Sequence, residues 1–187
     1  MRWEALFGDL QAQLAAEEAL AFESETAERT RAELAGVTLR ARLRANNGAA
    51  VTARVRNGHS HAGTISAVGA DWLTLAGEGR SVLLPLAALL WVEGLGPGAE
   101  ASEGLVVQRL TLASAFRALA RDRAPLTLEL DGGGGADAAV LNGVVDRAAR
   151  DHLDFAVLPP GEARRRRTVS AVCAVPYAAV VSAASLV

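Results

Sequence analysis

Apolar residues near the start of the chain recur with a helical period. Trp3, Leu6, Phe7, Leu10 and Leu14 fall at i, i+3, i+4, i+7 and i+11, one stripe of an amphipathic helix. The helical pattern runs on, or breaks near Ser24 and restarts, through Ala27, Arg31 and Leu34 to Gly36, a residue suited to closing a helix. From Val37 the period drops to two. Val37, Leu39, Ala41 and Leu43 alternate with Thr38, Arg40, Arg42 and Arg44, which predicts a strand. Asn46-Asn47-Gly48 reads as a turn. Val51, Ala53 and Val55 then alternate with Thr52, Arg54 and Arg56 up to a second turn at Asn57-Gly58. Short strands are predicted over 62–68, 71–75, 82–84 and 89–92, with a tight 3₁₀-like turn at Pro85-Leu86-Ala87-Ala88. A helix over 111–122 stops before Pro125, and Leu126, Leu128 and Leu130 alternate as a further strand.

The same pattern then returns. Gly63 to Leu75 and Gly143 to Phe155 share the line Gly-x-apolar-x-x-apolar-x-x-Asp-x-Leu-x-apolar, with every position offset by 80. Each is followed by an apolar run around one proline, Pro85 or Pro176. The second copy is longer between these landmarks, and the extra residues include Pro159-Pro160-Gly161 and Arg164-Arg165-Arg166-Arg167. Four segments are expected from this: a helical segment at 1–36, a first β unit at 37–94, a Gly-, Ala- and Glu-containing linker at 95–108, and a second β unit with a leading helix at 109–187.

Composition narrows the picture. With 187 residues, 51% of them hydrophobic and 21% charged, the chain has the make-up of an ordinary globular protein. The net charge is −2, which argues against binding a polyanion by bulk charge alone. The N-terminal segment is acidic, whereas the arginines cluster locally farther on. All 19 basic residues are arginine, the mark of a GC-rich genome; a bacterial source is expected. One cysteine, Cys173, excludes an internal disulfide and suits a reducing, cytoplasmic setting. No signal-peptide pattern opens the sequence. The uncharged stretch 168–187 is rich in Ala, Val and Ser and holds Pro176, so no membrane span is expected there.

A helix followed by five short bent strands, with a 3₁₀ turn before the last, resembles the Sm-like (LSm, Hfq-type, SH3-like) small β-barrel. The Gly…Asp-x-Leu line is similar to the first Sm motif and Val175-Pro176-Tyr177-Ala178-Ala179-Val180-Val181-Ser182 to the second. The resemblance implies a mainly β fold with some α: an N-terminal amphipathic helix, then two tandem small β-barrels, the second preceded by a short helix. It also implies RNA binding. However, Thr74 and Asp154 stand near the family's asparagine, and Pro85-Leu86-Ala87 and Pro176-Tyr177-Ala178 replace its basic pair, so the RNA pocket does not carry over.

Candidate chemistry is sparse. His59-x-His61 could begin a metal site, but further ligands would have to come from His152 and Cys173. Asp71 and Asp151 recur at matched positions and are expected to bond backbone at turns. Asp131-Gly132-Gly133-Gly134-Gly135 lacks the Gly-Lys-Ser/Thr ending of a phosphate loop. No enzyme activity, cofactor or metal is expected. Two function classes remain. The favoured one is RNA or DNA binding and regulation through Arg164, Arg165, Arg166 and Arg167, and through a basic strand face of Arg40, Arg42, Arg44, Arg54 and Arg56. The alternative is a protein-assembly or adaptor role through barrel edges and the stripe Trp3, Leu6, Phe7, Leu10 and Leu14, which either packs on its own chain or docks a partner.

Overall fold

The structure, a computed structural model, describes residues 22, 24–25, 28–32, 34–77, 79–100, 109–132 and 139–186. The stripe from Trp3 to Leu14, part of the expected linker and most of the glycine loop lie outside them. The chain divides into residues 1–38 and 39–187. In the first unit, residues 22, 24–25, 28–32 and 34–35 are helical. An Arg29–Glu25 pair at 2.7 Å bridges one turn, and the Gly36 N–H donates to the Ala32 carbonyl at 3.3 Å where the helix ends.

Among the described residues the second unit has ten strands: β1 (Ala50–Val55), β2 (Ser60–Val68), β3 (Trp72–Gly77), β4 (Arg80–Pro85), β5 (Leu89–Glu93), β6 (Leu126–Leu130), β7 (Ala139–Ala148), β8 (His152–Val157), β9 (Ala171–Pro176) and β10 (Val180–Leu186). They form one antiparallel sheet in the order β5-β1-β2-β3-β4-β10-β6-β7-β8-β9. This corrects the expected pair of tandem small barrels behind an N-terminal helix. The two halves are not separate closed bodies. β4 finds its second neighbour in β10, across the halves, with Leu83 opposite Ala183 and Val82 opposite Ala184. Sequence periodicity shows which face of a strand is buried, but not which strand will satisfy its outer backbone groups.

A second correction concerns residues 37–44. Leu39–Ala45 is a helix, α1, not a strand. Leu, Ala and Arg are all strong helix formers, and the stretch from Leu39 has no β-branched residue to favour extension. Leu43 is fully buried on this helix in the first core. The segment after β5 is fastened back onto α1. Glu100 N–H donates to the Ala41 carbonyl at 3.0 Å, and Asn46 accepts from the Gly96 N–H at 2.8 Å.

The two largest clusters of buried side chains form the core. The first gathers Leu43, Val55, Ile65, Leu73, Leu75 and Leu84; the second gathers Phe116, Leu128, Val145, Leu153, Phe155 and Val180. A helix α2 (Leu112–Asp122) covers the second, its Phe116 stacked on Tyr177 with ring centroids 5.6 Å apart. The clusters interlock at the β4–β10 seam. Val181 of β10 belongs to the first core, and Leu83 of β4 to the second.

The repeated sequence line now has a physical reading. Its two glycines stand where β2 crosses β3 and β7 crosses β8, just before matched register shifts at Ile65/Ala67 and Val145/Arg147. A Cβ at Gly63 would sit 2.7 Å from the Ala76 carbonyl oxygen, and at Gly143 only 1.9 Å from that of Ala156. Backbone must therefore move to admit any side chain. Gly143→Ala is expected to destabilise the fold by about 1–3 kcal/mol or more, the usual range for overpacking, and Gly63→Ala by less. Urea midpoints for the two variants check this; a neutral Gly143→Ala would contradict it.

Candidate functional site

The groups expected to act together as a basic face are parted by the fold. Arg40, Arg42 and Arg44 lie on α1. Arg40 donates to the Ala70 carbonyl at 2.8 Å, Arg42 to that of Gly96 at 3.0 Å, and Arg44 pairs with Glu100 at 2.6 Å. Arg54 on β1 lies over the Trp91 ring, 5.8 Å from its centroid, and donates to Ser60 Oγ at 3.1 Å. Arg56 crosses to the other half, where it pairs with Asp131 at 3.1 Å and donates to the Ala178 carbonyl. These five arginines hold loops and the two halves in place, so they do not form one basic strand face.

Arg164 is also engaged. Its guanidinium grips Asp146 with two bonds, 2.5 and 2.6 Å, which raises its pKa further. Arg165, Arg166 and Arg167 follow on a turn closed by Thr168, whose hydroxyl donates to the Ala163 carbonyl at 2.8 Å. These three side chains are exposed, and none has an ion-pair partner among the described residues.

The two aspartates of the repeat do different things. Their backbone carbonyls accept from matched residues, Leu86 and Tyr177, both at 2.9 Å. The Asp71 carboxylate additionally accepts from the Leu112 N–H at 2.6 Å, capping α2, while Asp151 bonds the His152 ring at 2.8 Å. Neither pairs with the other.

A polar cluster lies at the seam. The Asn57–His61 hairpin reaches across to Glu129 of β6. Asn57 Nδ2 and His59 Nδ1 each approach the same carboxylate oxygen at 3.1 Å, and His61 Nε2 lies 3.7 Å away, beyond hydrogen-bond range. His61 is only 8% exposed. The His59-x-His61 pattern thus meets Glu129 rather than His152 or Cys173, the further ligands a metal site would have needed. Glu129 was readable only as a lone acid in the strand Leu-Thr-Leu-Glu-Leu, a weak signal. Among the described residues no three His, Cys, Asp or Glu side chains are arranged to hold a metal ion.

Burial holds the His61 pKa below its usual 6.5; the Glu129 charge opposes this, while Arg80 and His59 reinforce it. For Glu129, burial pushes the other way, but hydrogen bonds from Asn57 and His59 and the nearby His61 keep its pKa below the usual 4.5.

Two features stand apart from this cluster. A cleft of about 490 Å³ lies between α2 and the seam, walled by Trp72, Leu83, Leu110 and Leu119. Among the described residues the sheet ends at β5 and β9, each with a strand neighbour on one side only. Leu90 and Trp91 on β5 are each 56% exposed, and Val172 on β9 is 58% exposed. Comparison with protein-family models, with curated proteins and with solved structures returned no match. No helix among the described residues is long and apolar enough to cross a membrane.

The seam cluster predicts an acid response. His61 binds a proton less readily in the folded chain than in the unfolded one. Stability should therefore fall as pH drops from about 6.5 toward the folded pKa. Glu129 adds to this lower down: its lowered pKa stabilises the fold above about 4.5, and that contribution disappears as pH falls through the folded value. Urea midpoints measured from about pH 7.5 to 5 are expected to decline, and His61→Gln to flatten the decline. An unaltered slope in the variant would contradict the assigned environment.

Proposed function

We propose that this chain is a non-enzymatic assembly module that adds strands from a protein partner at the two ends of its sheet. The observation that carries this reading is the pair of edge strands, β5 and β9, whose outer sides no described strand covers. Proteins that stay monomeric usually protect edge strands with charges, prolines or covering elements. β9 is Ala-Val-Cys-Ala-Val-Pro, uncharged and with its one proline at the very end. β5 is Leu-Leu-Trp-Val-Glu, with one charge at its last position. Strand addition at such an edge draws affinity from main-chain hydrogen bonds and specificity from alternate side chains.

The groups with catalytic potential support a structural role instead. Asn57 and His59 are bonded to Glu129, and Arg56 to Asp131, across the seam. The matched halves are read as the product of duplication, and the single half-buried thiol, Cys173, fits a reducing cytoplasm.

Nucleic-acid binding is kept as a second reading on one observation, the exposed run Arg165–Arg167. Three phosphate contacts give a modest affinity with a shallow salt dependence.

Size fractionation of a tagged chain from cell extract separates the two readings. The chain is expected to elute above the size of its 19.4 kDa monomer, to return to monomer size on Leu90→Lys with Val172→Lys, and to be indifferent to nuclease. Elution as a monomer, or collapse of the complex by nuclease, would contradict the assembly reading; the latter would favour nucleic acid.

A further inference from the structure

We infer that the occupant of these edges is a second copy of this chain, docked head to tail with β9 of one copy against β5 of the next. The inference rests on the assembly reading and names its partner.

The first half of the sheet runs β5-β1-β2-β3-β4 and the second β10-β6-β7-β8-β9. β5 therefore holds the place in its half that β10 holds in the other, and β9 the place of β4. But β4 and β10 are already joined at the seam. The two free edges are the counterparts of the two strands that pair within the chain.

Side chains carry the correspondence further. Pro85 and Pro176 each lead into a 3₁₀ turn, Leu86–Ala88 and Tyr177–Ala179, at an offset of 91. That offset relates Val181 to Leu90. Val181 is fully buried, lodged in the first core across the seam, whereas Leu90 is 56% exposed at the free edge. An apolar side chain thus stands in water where its counterpart fills a neighbouring core. Val172, 58% exposed on β9, corresponds to Ser81, which pairs with Ser185 at the seam.

The seam also fixes the register. Ala183 opposite Leu83 becomes Val92 opposite Ala174, and Ala184 opposite Val82 becomes Glu93 opposite Cys173. Because different surfaces meet, each added copy leaves the same two edges open. Growth continues until a ring closes or a filament forms.

The register offers a direct test, since Cys173 is the only cysteine of the chain. Purified full-length Glu93→Cys is expected to give, on mild oxidation, a ladder of disulfide-linked multimers on a non-reducing gel. Adding Cys173→Ser, which leaves the introduced thiol at position 93 facing a serine, should abolish the ladder. Wild-type mass by light scattering should rise with concentration to multiples of 19.4 kDa, with amide exchange slowing at β5 and β9. Association without the ladder, and without slowed exchange at those strands, would overturn the edge pairing. A monomer at every concentration would overturn the self-partner. If the complex in extract then persists and remains sensitive to the edge lysines, the assembly reading stands with a different partner; if it is absent too, both fall.

Discussion

The pairing of β4 with β10 is the contact on which the rest of the second unit depends. It turns two five-stranded halves into one sheet, and it does so by exchange. Leu83 leaves its own half to enter the second core, and Val181 leaves its half to enter the first. Burying a Val or Leu side chain is worth about 1.5–3 kcal/mol, so these two residues account for about 3–6 kcal/mol. That is a large fraction of the 5–15 kcal/mol by which a domain is usually stable. The surrounding ion pairs are weaker determinants. Arg56–Asp131 is partly exposed, and such pairs contribute about 0–1 kcal/mol. Apolar exchange supplies the strength of the seam; the polar cluster around Glu129 aligns it and makes it responsive to acid.

The same constraint explains why so many arginines do structural work. The chain contains no lysine, so every basic side chain offers a planar fork able to bond several carbonyls or a carboxylate at once. Arg40 and Arg42 close loops through backbone carbonyls, Arg56 bridges the halves, and Arg164 pins the long β8–β9 loop to Asp146. On that loop Arg165, Arg166 and Arg167 are left exposed, the one run of consecutive free arginines among the described residues.

Much of the strand pattern was legible in the sequence because burial on one face imposes a period of two. The alternation at Val51, Ala53 and Val55, the turn at Asn57-Gly58 and the 3₁₀ turns after Pro85 and Pro176 all have their signatures in residue type. The strand expected over 37–44 gives way to the helix Leu39–Ala45 because a run this short shows i, i+2 apolar spacing in either conformation, and only helix propensity distinguishes them. The seam was not legible at all. Nothing in Arg80–Pro85 or Val180–Leu186 says that they pair with each other across about a hundred residues of chain, and the expectation of two separate barrels failed on that point. The Glu129 cluster was hidden for the same reason: its members come from hairpins that are neighbours only through the seam.

The central claim is that the seam makes residues 39–187 one cooperative unit. Native-state hydrogen exchange in low urea tests it most directly, read at the amides of Leu75 in the first core and Phe155 in the second. The account predicts one opening free energy for both, lowered equally, by about 2–5 kcal/mol, in Leu83→Ala. Two distinct opening free energies, or a loss of protection confined to one core, would contradict it.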